Sequence, residues 1–301
     1  MPRVIELADH DTIALEDCLE GILADGFDPG DEASTDNAAR WLRRLGNNRD
    51  FLAERLVDEL KQKPEARNAD SSYGAQVFML GRPAGNIFLR ANIWPALSDH
   101  AYRASGGTPF AYELPHDHNF DFLTVGYFGP GYWSDYYEYD YEAVHGWRGE
   151  PAGLRFVERA RLEPGKLMHY RAHRDVHRQL PPDTMSVSLN VMHMEAHQPW
   201  LDQYRFDLED GTVAGILTAT ASEVALKIAC ALDMDEAHDL AARFGRCHPS
   251  DRMRLAAFDA RAGVAGTEAE RDAIWAEAEL SGSRMVAMEA RGRRQLLDAA
   301  A

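Results

Sequence analysis

The apolar positions of this chain change period twice. Up to about residue 70 they recur at helical intervals: residues 15–23 form a short amphipathic stretch, and Trp41, Leu42, Leu45, Leu52, Leu56 and Leu60 place a second, longer helix over residues 38–60. Residues 26–36, rich in Gly, Pro and acids, read as the loop between them. From Tyr73 the pattern becomes strand-like. Residues 77–80 and 86–94 flank a Gly/Pro turn and predict a hairpin, and further strands are expected at 110–114, 120–128, 132–144, 155–162, 167–171 and 185–192. Residues 204–217 read as a last hairpin turning at Asp210-Gly211. After Thr220 helical spacing returns at 224–232 and 237–244, and Thr267-Glu268-Ala269-Glu270 has the form of a capping box opening a long helix to about Leu297.

Three segments follow from this pattern: a helical one over 1–72, a β one over 73–218 and a helical one over 219–301. Short strands at such spacing indicate a mainly β fold, an antiparallel barrel or sandwich flanked by N- and C-terminal α-helices, rather than a parallel α/β sheet.

Composition narrows the function classes. A net charge of −17 over 301 residues argues against general nucleic-acid binding, which rests on clustered Lys and Arg. The local groups Arg40, Arg43, Arg44 and Arg291, Arg293, Arg294 read as solvated helix faces. Cys18, Cys230 and Cys247 are odd in number and widely spaced, so they are expected to be buried small hydrophobes rather than a disulfide framework or thiolate zinc site. No run of about 18 apolar residues and no charged-then-apolar leader is visible, so no membrane partner and a cytoplasmic location are expected. Glycine-rich phosphate loops, the Gly-x-Ser-x-Gly elbow and the dinucleotide fingerprint are all missing.

The candidate chemistry lies in the β segment. His116 and His118 stand two residues apart in the run Pro115-His116-Asp117-His118-Asn119-Phe120, so on a strand both imidazoles share one face. His177 comes just before the strand-like run 185–192. Neutral imidazoles bind iron, copper, nickel or zinc. His173 competes with His177 for the third place, and His173-Arg174-Asp175 also resembles the His-x-Asp of 2-oxoglutarate oxygenases.

The pattern resembles the cupin superfamily over roughly residues 75–217: jelly-roll barrels holding a metal with a His-x-His pair and a later His. Where the usual metal-ligating Glu should follow His118, this chain has Phe122 and Leu123, and Asp121 falls on the opposite strand face. That departure is similar to the three-histidine site of the cysteine dioxygenase-like enzymes. Their His-Arg pair and Val-Ser-Leu strand match His177-Arg178 and Val187-Ser188-Leu189 here, and their carboxylate-binding arginine matches Arg90. The family's tyrosine near the metal aligns with Met192, and the cysteine that some members crosslink to it aligns with Leu123. The resemblance therefore implies His116, His118 and His177 as ligands of Fe(II), with zinc, nickel or another divalent metal as alternatives, and Arg90 as the clamp of a small carboxylate- or amino-acid-like substrate that meets dioxygen. Cysteine itself is not the expected substrate.

A carboxylate could join the site from a neighbouring strand. If Gly129-Pro130-Gly131 closes a hairpin, Phe122 faces Glu138 and His118 faces Glu142, turning those acids inward; a slip by one residue turns Tyr137, Tyr139 and Tyr141 inward instead. Two further readings stand beside the oxygenase. One is a non-redox isomerase, epimerase or lyase with the metal as Lewis acid. The other is a ligand- or metal-sensing barrel whose helices pair with another protein, and the helical segments are also candidates for homodimer contacts.

Overall fold

The computed structural model describes residues 1–61 and 76–300. The expected divide near residue 72 falls in the interval 62–75, outside the described residues. The chain opens with β1 (Arg3–Val4), α1 (Leu15–Asp25), α2 (Glu32–Asn47) and α3 (Phe51–Lys61). Next come β2 (Val77–Met79), β3 (Ile87–Trp94), α4 (His100–Ser105), β4 (Phe122–Phe128), β5 (Tyr132–Glu138), β6 (Arg155–Leu162), β7 (Leu167–Tyr170), β8 (Asp175–Gln179) and β9 (Ser186–His193). The chain ends with β10 (Tyr204–Asp207), β11 (Thr212–Ile216), α5 (Ala221–Ala231), α6 (Asp235–Cys247), α7 (Asp251–Gly263), α8 (Glu268–Glu279) and α9 (Arg284–Ala300). Antiparallel pairing forms a six-stranded sheet in the order β1-β7-β4-β9-β3-β2 and a three-stranded sheet in the order β6-β5-β8. This is the antiparallel jelly-roll class, with helices before and after the strands in sequence. None of the described helices is long and apolar enough to cross a membrane.

Two compact units partition the chain: Met1–Asp140 with Leu154–Gln198, and Tyr141–Gly153 with Pro199–Ala301. Within the first unit, alternation sorts the large sheet into two faces. Leu89, Ala91, Leu123, Val125, Leu167, Leu189 and Val191 point one way and pack with Cys18, Ile22, Leu42 and Leu45 of α1 and α2. Trp94, Phe122, Met168, Tyr170 and Met192 point the other way and meet Tyr132 and Tyr136 of the small sheet. The N-terminal helices thus seal the outer face of the sheet, and its inner face is free to build a cavity.

Several expected boundaries shift for local reasons. Asp31 caps α2 by accepting from the Ala33 amide at 3.0 Å, so half of the expected 26–36 loop is helical. The expected 38–60 helix is two helices, because Asn48 turns to extended backbone and its Oδ1 accepts from the amides of Asp50 and Phe51 at 3.2 and 3.3 Å, starting α3. In place of a strand at 110–114, Ala111 and Glu113 take left-handed backbone at φ 53° and 56°. Strand β5 stops at Glu138 rather than 144, and β8 was not anticipated.

The second unit holds the β10–β11 hairpin, with Gly211 at φ +67° in its turn, and α5 to α9. Helix α7 escaped prediction because its buried stripe is largely alanine, Ala257, Ala260 and Ala262. The Thr267–Glu270 capping box forms, but the helix it opens ends at Glu279. Gly282 at φ +83° breaks the line, and Ser283 Oγ accepts the Val286 amide at 3.2 Å to begin α9. Cys18 and Cys230 are buried, whereas Cys247 is exposed, against expectation, on the outer side of α6. The arginine groups are paired: Arg44 with Asp9, Arg293 with Asp259, and Arg294 with Asp272 and Glu279.

Candidate metal centre

His116 and His118 sit on an extended segment rather than inside a regular strand, and β8 fixes their position. The His116 amide donates to the His177 carbonyl at 3.1 Å and the His177 amide returns a bond to His116 at 2.9 Å, an isolated antiparallel bridge. Further along, the His173 amide donates to the His118 carbonyl at 2.8 Å. Two-residue alternation then sends both imidazoles to the cavity side, where His177 faces them from β8.

The three rings converge. His118 Nε2 lies 3.0 Å from His177 Nε2, which lies 3.3 Å from His116 Nε2. All three side chains are buried, and burial pushes each imidazole toward its neutral form, most strongly at His118 and His177. Mutual proximity adds to this, as does the Arg90 charge beside His118. His116 Nδ1 donates to the Leu114 carbonyl at 2.8 Å, which as a neutral ring leaves its Nε2 lone pair directed at the other two. Three neutral imidazoles turning nitrogens together at this separation match a divalent ion, since bonds of about 2.1 Å at near-right angles span about 3.0 Å between nitrogens. His116, His118 and His177 are the group placed to hold a metal among the described residues.

Arg90 lines the same cavity, projecting from the inner face of β3 with Asn92 and Trp94. The pocket, about 80 Å³, is completed by Phe122, Tyr132, Tyr170, Gln179 and Asn190 among others. The phenol of Tyr170 meets that of Tyr136 at 2.9 Å, and its ring centroid is 5.0 Å from that of His177. Burial holds the hydroxyls of Tyr132 and Tyr170 well above the usual tyrosine range, so both are neutral proton carriers.

The expected carboxylates go elsewhere. Strand β4 pairs with β7 and β9 while β5 pairs with β6 and β8, so the Gly129-Pro130-Gly131 turn passes between sheets instead of closing a hairpin. Close packing enforces that path: a Cβ at Gly129 or Gly131 would sit 2.2 or 2.1 Å from the carbonyl of Met185 or Leu162. Glu138 bonds the N-terminal amine at 2.7 Å, Arg155 at 2.7 Å and Arg171 at 3.2 Å, and the amine foremost, with Arg174 and Arg171, holds its pKa down. Glu142 lies on an exposed turn, Tyr141–Ala143, of the second unit. The register that set Phe122 against Glu138 falls with its hairpin, and the one-residue slip is not realised either, because Tyr132 and Tyr136 face the core while Tyr137 packs on Phe156.

His173 stays out of the cluster. It takes left-handed backbone at φ 58°, with Nδ1 4.0 Å from Asp117 Oδ2. Asp175 is bound by Arg171 at 2.7 and 2.9 Å, so the His173-Arg174-Asp175 arrangement forms no joint site. Arg178 likewise turns from the cavity to Asp135, which Arg159 also grips, and these guanidiniums hold the carboxyl below its usual range.

No protein-family model and no curated protein matches this sequence. Solved structures do. They include the DMSP lyases RdDddP and RnDddQII at 14% identity and TM-score 0.26, over 44% of this chain and 52% of that one. DMSP lyase DddQ from Ruegeria pomeroyi gives 14% and 0.23, over 42% and 53%. A cupin-like protein from Thermotoga maritima gives 12% and 0.23, over 45% and 80%. The chain thus spans about half the length of the lyases it matches. At such scores the likeness identifies neither reaction nor substrate, and the site's own geometry has to carry the reading.

Sequence reasoning overlooked Tyr170, Gln179 and Asn190 as cavity residues. The alternation along β7 and β9 held the signal, since Tyr170 shares a face with Met168 and Asn190 with Met192. Met192 faces inward, whereas Leu123 turns outward into the helix layer and has no part in the cavity.

Proposed function

We propose that this protein is a metal-dependent enzyme of the cupin kind, in which His116, His118 and His177 hold Fe(II) and Arg90 binds the carboxylate of a small substrate. The observation that carries this reading is the convergence of three buried, neutral imidazole nitrogens in the cavity that Arg90 also lines. Fe(II) on three neutral ligands keeps its charge and open positions, which supplies dioxygen activation beside an anionic substrate. The guanidinium fork orients the carboxylate by paired hydrogen bonds. Trp94 and Phe122 wall the cavity with apolar surface and limit water. Met192, in place of a phenol, leaves nothing at that position to orient a thiol substrate, so cysteine is expected to react poorly.

A second reading is favoured by one feature. Tyr132 and Tyr170 line the cavity as neutral phenols, while no Asp or Glu does so among the described residues. In a lyase or isomerase one of these hydroxyls would donate or return the proton at the substrate carbon, with the metal as Lewis acid. Oxygen-electrode traces of iron-loaded and zinc-loaded protein with a panel of small carboxylates separate the two. Turnover that consumes oxygen and needs iron supports the oxygenase; equal turnover under argon with zinc removes it.

A further inference from the structure

Beside Arg90 the cavity wall carries amides that the metal reading leaves unused. Asn190 on β9 lies directly across from Arg90 on β3, and Asn92 follows Arg90 on the same face. Gln179 closes the opposite wall from β8, two residues beyond His177, and its Nε2 lies 3.5 Å from His177 Nε2. Asn92, Asn190 and Gln179 are 7%, 2% and 5% exposed, yet Asn92 Oδ1, Asn190 Nδ2 and Gln179 Oε1 have no hydrogen-bond partner among the described residues. Buried amides in an otherwise aromatic wall are costly unless something in the cavity bonds them. Their placement sorts them: a donor across from the Arg90 guanidinium, and acceptors on either side.

We propose that Asn92 and Asn190 make this cavity selective for small hydroxy carboxylates, with Arg90 and Asn190 on the carboxylate and the amide oxygen of Asn92 accepting the one proton of the substrate hydroxyl. Charge decides hydroxyl against ammonium. Among the described residues the lining carries no acid, so a substrate ammonium would be buried without a carboxylate to pair with it. A neutral hydroxyl meets the Asn92 acceptor without that penalty. This inference rests on the assignment of Arg90 as carboxylate clamp.

The test is calorimetric binding of lactate, alanine and propionate to the zinc-loaded full-length protein, with metal content read on the same samples. Lactate should bind at least about tenfold more tightly than either analogue, because propionate leaves the Asn92 acceptor unpaired and the ammonium of alanine finds no carboxylate in the lining among the described residues. In Asn92→Ala that preference over propionate should shrink severalfold while propionate affinity is retained; Arg90→Lys should weaken lactate and propionate together. The wild-type ranking needs no variant, and Asn190→Ala with a circular-dichroism check serves if Asn92→Ala fails to fold. Equal binding of lactate and propionate, tighter binding of alanine, or no binding of any of them at millimolar concentration overturns the proposal. Metal-free protein that keeps the lactate preference but takes up no zinc would overturn the metal assignment alone.

Discussion

Replacing His118 and His177 together by leucine should remove most of the acid sensitivity of the metal-free protein. Both imidazoles are buried and held well below the ordinary value of 6.5, chiefly by desolvation, so the unfolded chain gains protons that the folded chain does not. With depressed folded pKa values, the stability they permit is present above pH 6.5 and falls as pH drops below it. Each such histidine costs up to about 1 kcal/mol between pH 7 and pH 5.5, so the pair accounts for about 2–3 kcal/mol at most. His116, lowered in the same direction, brings the total to as much as about 4 kcal/mol. The carboxylates with lowered pKa, Asp135 and Glu138 among them, start from ordinary values of 3.8 and 4.5 and titrate below this window. Urea unfolding with a chelator at both pH values gives the loss directly. Wild type should lose about 2–3 kcal/mol more than the double variant on acidification. Equal losses would show that these rings are not held neutral in the fold, and the argument for a ready set of ligands would fail with them.

Other substitutions test the frame around the site. Tyr136→Phe removes the partner of the buried Tyr170 hydroxyl and should cost about 1–3 kcal/mol in chemical denaturation. In Gly126→Ala the new Cβ would stand 2.1 Å from the Glu163 carbonyl, a backbone atom, so a loss of about 3 kcal/mol is expected from the thermal midpoint. Leu42→Ala empties a fully buried position between α2 and the sheet and should cost about 2–5 kcal/mol, with little change in metal uptake because the cavity lies on the other face.

Alternation made the sheet legible before any coordinates. The strand at 155–162 and the inward face shared by Arg90 and Asn92 were readable because a period of two fixes which side chains travel together. The same rule brought His116 and His118 to one side, although their segment is held by a single bridge to β8 and not by a continuous ladder. Which strand lies beside which was not encoded locally. The supposed hairpin at Pro130 failed because pairing partners are chosen by the burial of whole sheet faces, and Glu138 went instead to the N-terminal amine, a contact 137 residues away in sequence. Helix breaks at Asn48 and Gly282 depended on backbone conformations that apolar spacing does not report. Tyr170 illustrates the remaining gap: a tyrosine in a strand is ordinary packing material until another sheet closes over it and leaves its ring against His177.

The central claim is that three histidines of this chain hold one metal ion. Anaerobic titration of chelator-treated protein with Fe(II), and separately with Zn(II), followed by X-ray absorption at the metal edge, tests it most directly. The account predicts saturation at one ion per chain, a first shell with three imidazoles at about 2.0–2.2 Å, and loss of binding in His177→Ala while His173→Ala binds as wild type. Full-occupancy binding retained in His177→Ala, or a shell without imidazole, would contradict it.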